Sequence, residues 1–171
     1  MIQALCQILY NFNIDIVYTD LHSKNPLLEA YTLPQNQKII LDISLSNRPR
    51  QYKCVLAEEV GHALYAPLNG SIQYHIAEYW DMDFYQRGNI SYRHTKSERV
   101  ALLWATSFLI PDDEFWGFAN MGPHEWWEWL ERFEVEEWFM RRKIGFMRCK
   151  KHFKWKEIVK QTATTGGFGS Y

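Results

Sequence analysis

Two side chains that can grip a metal ion, with a carboxylate between them, stand in Ala57-Glu58-Glu59-Val60-Gly61-His62. The spacing is that of the metal-binding helix motif His-Glu-x-x-His, with glutamate in the first ligand position. Glu58 and His62 lie four residues apart, so on a helix they point the same way, one turn from each other. Glu59 is then left to serve as general base on an attacking water. The chemistry this pattern allows is metal-assisted hydrolysis. Glu-Glu-x-x-His also occurs on ordinary solvated helices, so the motif needs a third partner. A catalytic ion takes three protein ligands and keeps one position open. The best third candidate is Glu98, in Glu98-Arg99-Val100-Ala101-Leu102-Leu103-Trp104-Ala105. The competing reading of Glu98 is structural: Thr95-Lys96-Ser97-Glu98 has the pattern of a capping box that opens a helix.

The flanking sequence predicts the elements that must position these residues. Apolar residues at helical spacing (Ile2, Leu5, Cys6, Ile8, Leu9) predict a helix over 2–11. Residues 14–18, 29–33 and 38–42 read as strands, with Pro34-Gln35-Asn36-Gln37 as the turn between the last two. Ser46 or Asn47 caps a long helix with Pro49 in its first turn. Its apolar positions (Tyr52, Val55, Leu56, Val60, Ala63, Leu64) leave Glu58 and His62 on a different stripe from much of the core face. Residues 67–93 lack a clear period and read as a loop, with a short helix near 76–80. A helix follows from Glu98 to Leu109, and Pro111 ends it. Further helices are predicted over 112–119, 124–132, 135–145 and 153–161, before a Gly/Thr/Ser-rich tail.

The pair of motifs resembles the ImmA/IrrE family of metallopeptidases. In that family a motif helix reading Ala-(His or Glu)-Glu-Leu-Gly-His precedes a helix reading Glu-x-x-Ala-Asn-x-(Phe/Trp)-Ala that ends in Leu-(Met/Ile)-Pro. This chain offers Leu56-Ala57-Glu58-Glu59-Val60-Gly61-His62, then Glu98-x-x-Ala101-x-x-Trp104-Ala105, then Leu109-Ile110-Pro111. Leu102 replaces the usual Asn. The resemblance covers roughly residues 1–115. It implies an α+β, zincin-like fold with a small N-terminal sheet, with Glu58, His62 and Glu98 as metal ligands and Glu59 as general base. The glutamate in first position matches the phage and mobile-element branch of the family. There the implied activity is cleavage of a helix-turn-helix repressor, making the enzyme an anti-repressor. Zinc is the implied ion. Two carboxylates and one imidazole would cancel its charge, where two imidazoles and one carboxylate leave it at +1. That lowers the Lewis acidity and admits Mn²⁺ or Fe²⁺ more readily.

On this reading residues 1–115 form the metallopeptidase-like domain. Residues 116–161 form a helical extension of helix-turn-helix-like rhythm, and 162–171 a flexible tail. Residues 112–137 carry nine acids and one Arg, a net of −8, while 141–160 carry nine bases and one acid, a net of +8. Glu136 and Glu137 open the second helix where a DNA reader would need bases, which argues for packing and against direct nucleic-acid contact. The basic segment is expected to bind acidic partners only weakly, because it can pair with the acids before it. The expected partner is a protein substrate.

The other function class open to the sequence is a catalytically inactive relative that acts as a protein-binding or DNA-associated regulator. No apolar run is long enough for a membrane span. The three scattered cysteines (Cys6, Cys54, Cys149) read as free thiols of a reducing cytoplasm. His75, His94 and His124 read as surface histidines before spare ligands. Tyr92 is a weaker candidate to polarise a scissile carbonyl. Trp126, Trp127 and Trp129 cannot all face one side of a helix, so at least one is expected at the surface. Lys38–Asp42 is a candidate substrate-pairing strand near the cleft, a reading compatible with its being an ordinary core strand.

Overall fold

The computed structural model describes residues 1–65, 73–76, 92–150 and 159–160. The chain is α+β. Helix α1 (Ile2–Asn11) leads into β1 (Asp15–Thr19), β2 (Leu28–Leu33), β3 (Lys38–Asp42), helix α2 (Pro49–Tyr65) and β4 (Gln73–Ile76). Then come helices α3 (Tyr92–Leu109), α4 (Asp112–Ala119), α5 (Trp126–Phe133) and α6 (Glu137–Lys150), with short strands β5 (His124–Glu125) and β6 (Val159–Lys160).

The main sheet has the order β1-β3-β2-β4. β3 runs parallel to β1 and antiparallel to β2, and β2 is antiparallel to β4. An inner strand needs apolar residues on both faces, and β3 supplies them: Ile39, Ile40 and Leu41 are all buried. Its position corrects one expectation. β3 is flanked by β1 and β2, so it has no open edge to offer a substrate and is a core strand.

Asp42 ends β3 and ties three segments together. Its carboxylate accepts hydrogen bonds from the Leu21 and His22 amides at 2.7 and 3.1 Å and from the Ser44 amide at 2.8 Å. Burial alone would raise its pKa, but the bonds from Ser44, Leu21 and His22 outweigh that and hold it down at about 2. The Ser44 bond caps the 3-10 turn Ile43–Asn47, which occupies Ser46 and Asn47, the residues expected to cap α2. Pro49 is the first residue of α2, where its missing N–H is harmless.

α2 is the central element. Gln51 and Lys53–His62 are all buried, polar residues included. The apolar stripe therefore understates its burial, because the sheet, α3 and the C-terminal helices enclose it. The polar side chains on α2 are pinned. Gln51 donates to Glu29 of β2 and accepts from the Trp138 indole N–H at 2.8 Å. Lys53 Nζ donates to the Phe133 carbonyl at 3.3 Å, at the end of α5. One continuous apolar core joins Val55, Leu56 and Val60 of α2 to Phe115, Trp129, Phe133, Phe139 and Met140.

Several expectations need correction. Gln73–Ile76 is a strand rather than loop; only four residues long, it carries too little alternation to show in the sequence, and pairing with β2 defines it. The rest of the short helix expected near 76–80 lies outside the described residues. α3 begins at Tyr92, so Thr95–Glu98 lies inside a helix and does not open one. Of the helix expected over 153–161, Val159–Lys160 instead pairs in parallel with His124–Glu125, and the remainder lies outside the described residues, as does the tail.

The C-terminal helices follow the sequence more closely. α4 matches its expected bounds, and the chain turns after it at Gly122, whose φ of 132° is closed to other residues. Trp129 is fully buried while Trp127 is 61% exposed, as three tryptophans in four positions require. α5 and α6 meet through Glu134 in the left-handed conformation. Acids and bases here pair as expected, Arg141 with Glu137 and the buried Lys143 with Asp112. None of the described helices is long and apolar enough to cross a membrane.

Candidate metal centre

Glu58 and His62 project from one face of α2, and Glu98 reaches them from α3. One ligand atom from each of the three lies within 4.8 Å of the others. His62 Nε2 is 3.2 Å from Glu98 Oε2. Two donors bonded at about 2.1 Å to one ion stand about 3–4 Å apart, so this spacing suits a shared first-row cation. Glu58 and His62 are each 2% exposed and Glu59 is 0%. Glu98 is 17% exposed, which puts it at the rim.

The crossing of α2 and α3 depends on Gly61. A Cβ there would sit 2.6 Å from the Ala101 carbonyl oxygen and 3.0 Å from its Cα. Real Cβ contacts are not that short, so only glycine lets the helices approach this closely. Gly61 neighbours His62, and Ala101 follows Glu98 by three residues on the same helix. The contact that demands glycine therefore also sets the reach of Glu98 to His62. Gly61→Ala should push α3 outward. We expect a loss of about 1–3 kcal/mol of stability with weakened metal uptake, checked by chemical denaturation and metal titration. An unchanged protein would rule out this role.

Three carboxylates surround one imidazole. Burial would lower the His62 pKa, but Glu98, with Glu59 and Glu58 behind it, more than reverses that and raises it to about 9. In the metal-free chain the His62–Glu98 ion pair contributes stability that is fully present below 6.5 and lost as pH rises through about 9. A metal ion needs the neutral imidazole, so binding expels that proton. Metal affinity is thus expected to weaken by about tenfold per pH unit below about 9. Titrations of metal uptake at a series of pH values check this; a flat dependence would contradict it. The donor set fits a divalent cation: two oxygens, one nitrogen and a buried excess of negative charge. His62 Nδ1 is buried without a hydrogen-bond acceptor among the described residues.

Glu59 is not one of the three grouped residues. Its Oε2 accepts from the Thr32 hydroxyl of β2. Among the other sequence candidates, His124 stacks on Phe118 at 3.8 Å between centroids and bonds that residue's carbonyl through Nε2, which makes it a packing residue. The side chains of His75, Tyr92 and His94 lie outside the described residues. Sequence reasoning assigned no role to Thr32 or to the closeness at Gly61. The signal for Thr32 was available: it shares a strand face with Ala30 and is a polar residue on an inward face.

A family model for the IrrE N-terminal-like domain, Peptidase M78, matches residues 10–144. The chain belongs to this family. The match includes α2 and α3 and runs through α4, α5 and most of α6. No curated protein and no solved structure matches the chain. Membership of this peptidase family supports a metallopeptidase-type function, for which the Glu58, His62 and Glu98 group could hold the metal ion.

Proposed function

We propose that this IrrE-like domain is an endopeptidase that hydrolyses a peptide bond in a specific protein, with Glu58, His62 and Glu98 holding one divalent ion. The observation that carries the proposal is the convergence of those three side chains from two helices, within a chain of the M78 peptidase family. Zinc is the first choice, with Mn²⁺ or Fe²⁺ admitted by the oxygen-rich donor set. Bound there, the ion supplies Lewis-acid polarisation to the scissile carbonyl and the attacking water. Glu59 takes the proton from that water and returns it to the leaving amine. Glu58 and Glu98 provide the negative charge that holds the cation, and burial keeps bulk water from screening it.

The proposed substrate is a helix-turn-helix repressor of a phage or integrative element, which would make this an anti-repressor working in the cytoplasm. The family resemblance of the Glu-Glu-x-x-His motif supports this choice. The unbridged Cys6, Cys54 and Cys149 agree with a reducing compartment. Arg141 and Lys143 are engaged with acids, which supports a protein rather than a nucleic-acid partner. The test is incubation of the zinc-loaded chain with repressors encoded beside its gene, read by mass spectrometry. One new peptide end that needs metal and Glu59 is the expected result. Intact repressors, together with a chain that takes up no metal, would favour the inactive protein-binding relative.

A further inference from the structure

We infer that Thr32 is a positioning residue for Glu59, holding its carboxylate in place both before and after it accepts a proton. The inference rests on the general-base role proposed above. Thr32 is fully buried on β2, on the side facing α2. Its hydroxyl donates to Glu59 Oε2, and the same Oγ1 lies 3.2 Å from the backbone carbonyl oxygen of Glu59. A hydroxyl carries one proton and two lone pairs. While Glu59 is ionised, the proton of Thr32 belongs on the carboxylate. The attacking water is therefore met by Oε1; once that oxygen has taken the proton, Oε2 is still an acceptor and keeps the Thr32 hydrogen bond. The proton that Oε1 gained passes to the leaving amine, with the Thr32 bond in place throughout.

Nothing has to move on the threonine side. Without Thr32 the buried Oε2 would lose this donor in both protonation states, and taking a hydrogen bond from a buried acceptor is costly. Threonine suits the task because its branched Cβ restricts χ1, so the hydroxyl stays aimed. The anchor also sits on a strand, while Glu59 sits on a helix. The sheet therefore fixes a side chain whose three torsions the helix alone would leave loose, and general-base catalysis is sensitive to such looseness.

Two measurements test this. The first uses thermal unfolding of the metal-free chain and needs neither metal nor substrate. Thr32→Val should lower Tm by about 5 °C in the parent and by clearly less in a Glu59→Leu background, where only the bond to the backbone carbonyl of residue 59 is left to lose. Equal drops in both backgrounds would overturn the inference. The second uses the zinc-loaded chain and a repressor that it cleaves. Thr32→Val should lower kcat at least about tenfold with KM and zinc content unchanged, and Thr32→Ser should restore most of that loss. A Thr32→Val chain with parent kcat, alongside an inactive Glu59→Gln, would overturn the positioning role and leave the general base standing. An active Glu59→Gln would overturn both.

Discussion

Glu59→Gln is expected to keep its metal ion and to lose cleavage by about 10²–10⁴-fold. The amide has nearly the shape of the carboxylate and can still accept the Thr32 hydrogen bond through its oxygen, so the local structure should persist. It cannot take a proton from water. Glu59 is not among the three side chains whose ligand atoms converge, so metal content should not change. Single-turnover cleavage alongside metal analysis checks both halves. Cleavage at the parent rate would show that the base lies elsewhere. If Glu59→Gln released the metal while Glu58→Ala kept it, the ligand and base roles would be exchanged.

Trp129→Ala should be the most damaging change outside the site. Trp129 is fully buried, with the rings of Phe118 and Phe115 at 4.9 and 5.0 Å and that of Phe133 at 6.3 Å. Removing so large a side chain from a closed core costs about 3–5 kcal/mol. For a chain of this size that lowers Tm by about 10 °C. The same core reaches Val55, Leu56 and Val60 on the metal-site helix. Loss of Trp129 should therefore weaken the whole domain in one transition, metal site included. Calorimetry checks this. A separate low-temperature transition, with the metal site unaffected, would mean that the C-terminal helices fold apart from the rest.

The sequence exposed some of this structure and hid the rest, for physical reasons. Elements with strong local signals were legible: the period of α1, Pro49 at the start of α2, and Pro111 ahead of the acidic first turn of α4. β4 was not, because four residues hold too little pattern and pairing with β2 defines the strand. The start of α3 was misplaced for a related reason. Thr95–Glu98 satisfies the local rule for a cap, yet the helix already runs from Tyr92. The shared face of Glu58 and His62 was legible from their spacing, whereas Glu98, whose local sequence reads as a cap, joined them through the family resemblance. What spacing cannot carry is the distance between α2 and α3. That distance is a tertiary quantity, written in the fit of Gly61 against Ala101. The Thr32–Glu59 bond is likewise tertiary, since it links residues 27 positions apart on different elements.

The most direct test is the metal content of the purified chain set against that of Glu98→Ala. Glu98 is the decisive position because it reaches the site from a different helix, and the motif helix alone cannot provide it. After loading with zinc and exhaustive dialysis, elemental analysis should find one ion per parent chain and essentially none in Glu98→Ala, with both proteins folded by circular dichroism. A parent chain without zinc, Mn²⁺ or Fe²⁺ at stoichiometric level would contradict the metal centre, and so would a Glu98→Ala chain that holds its ion as tightly as the parent.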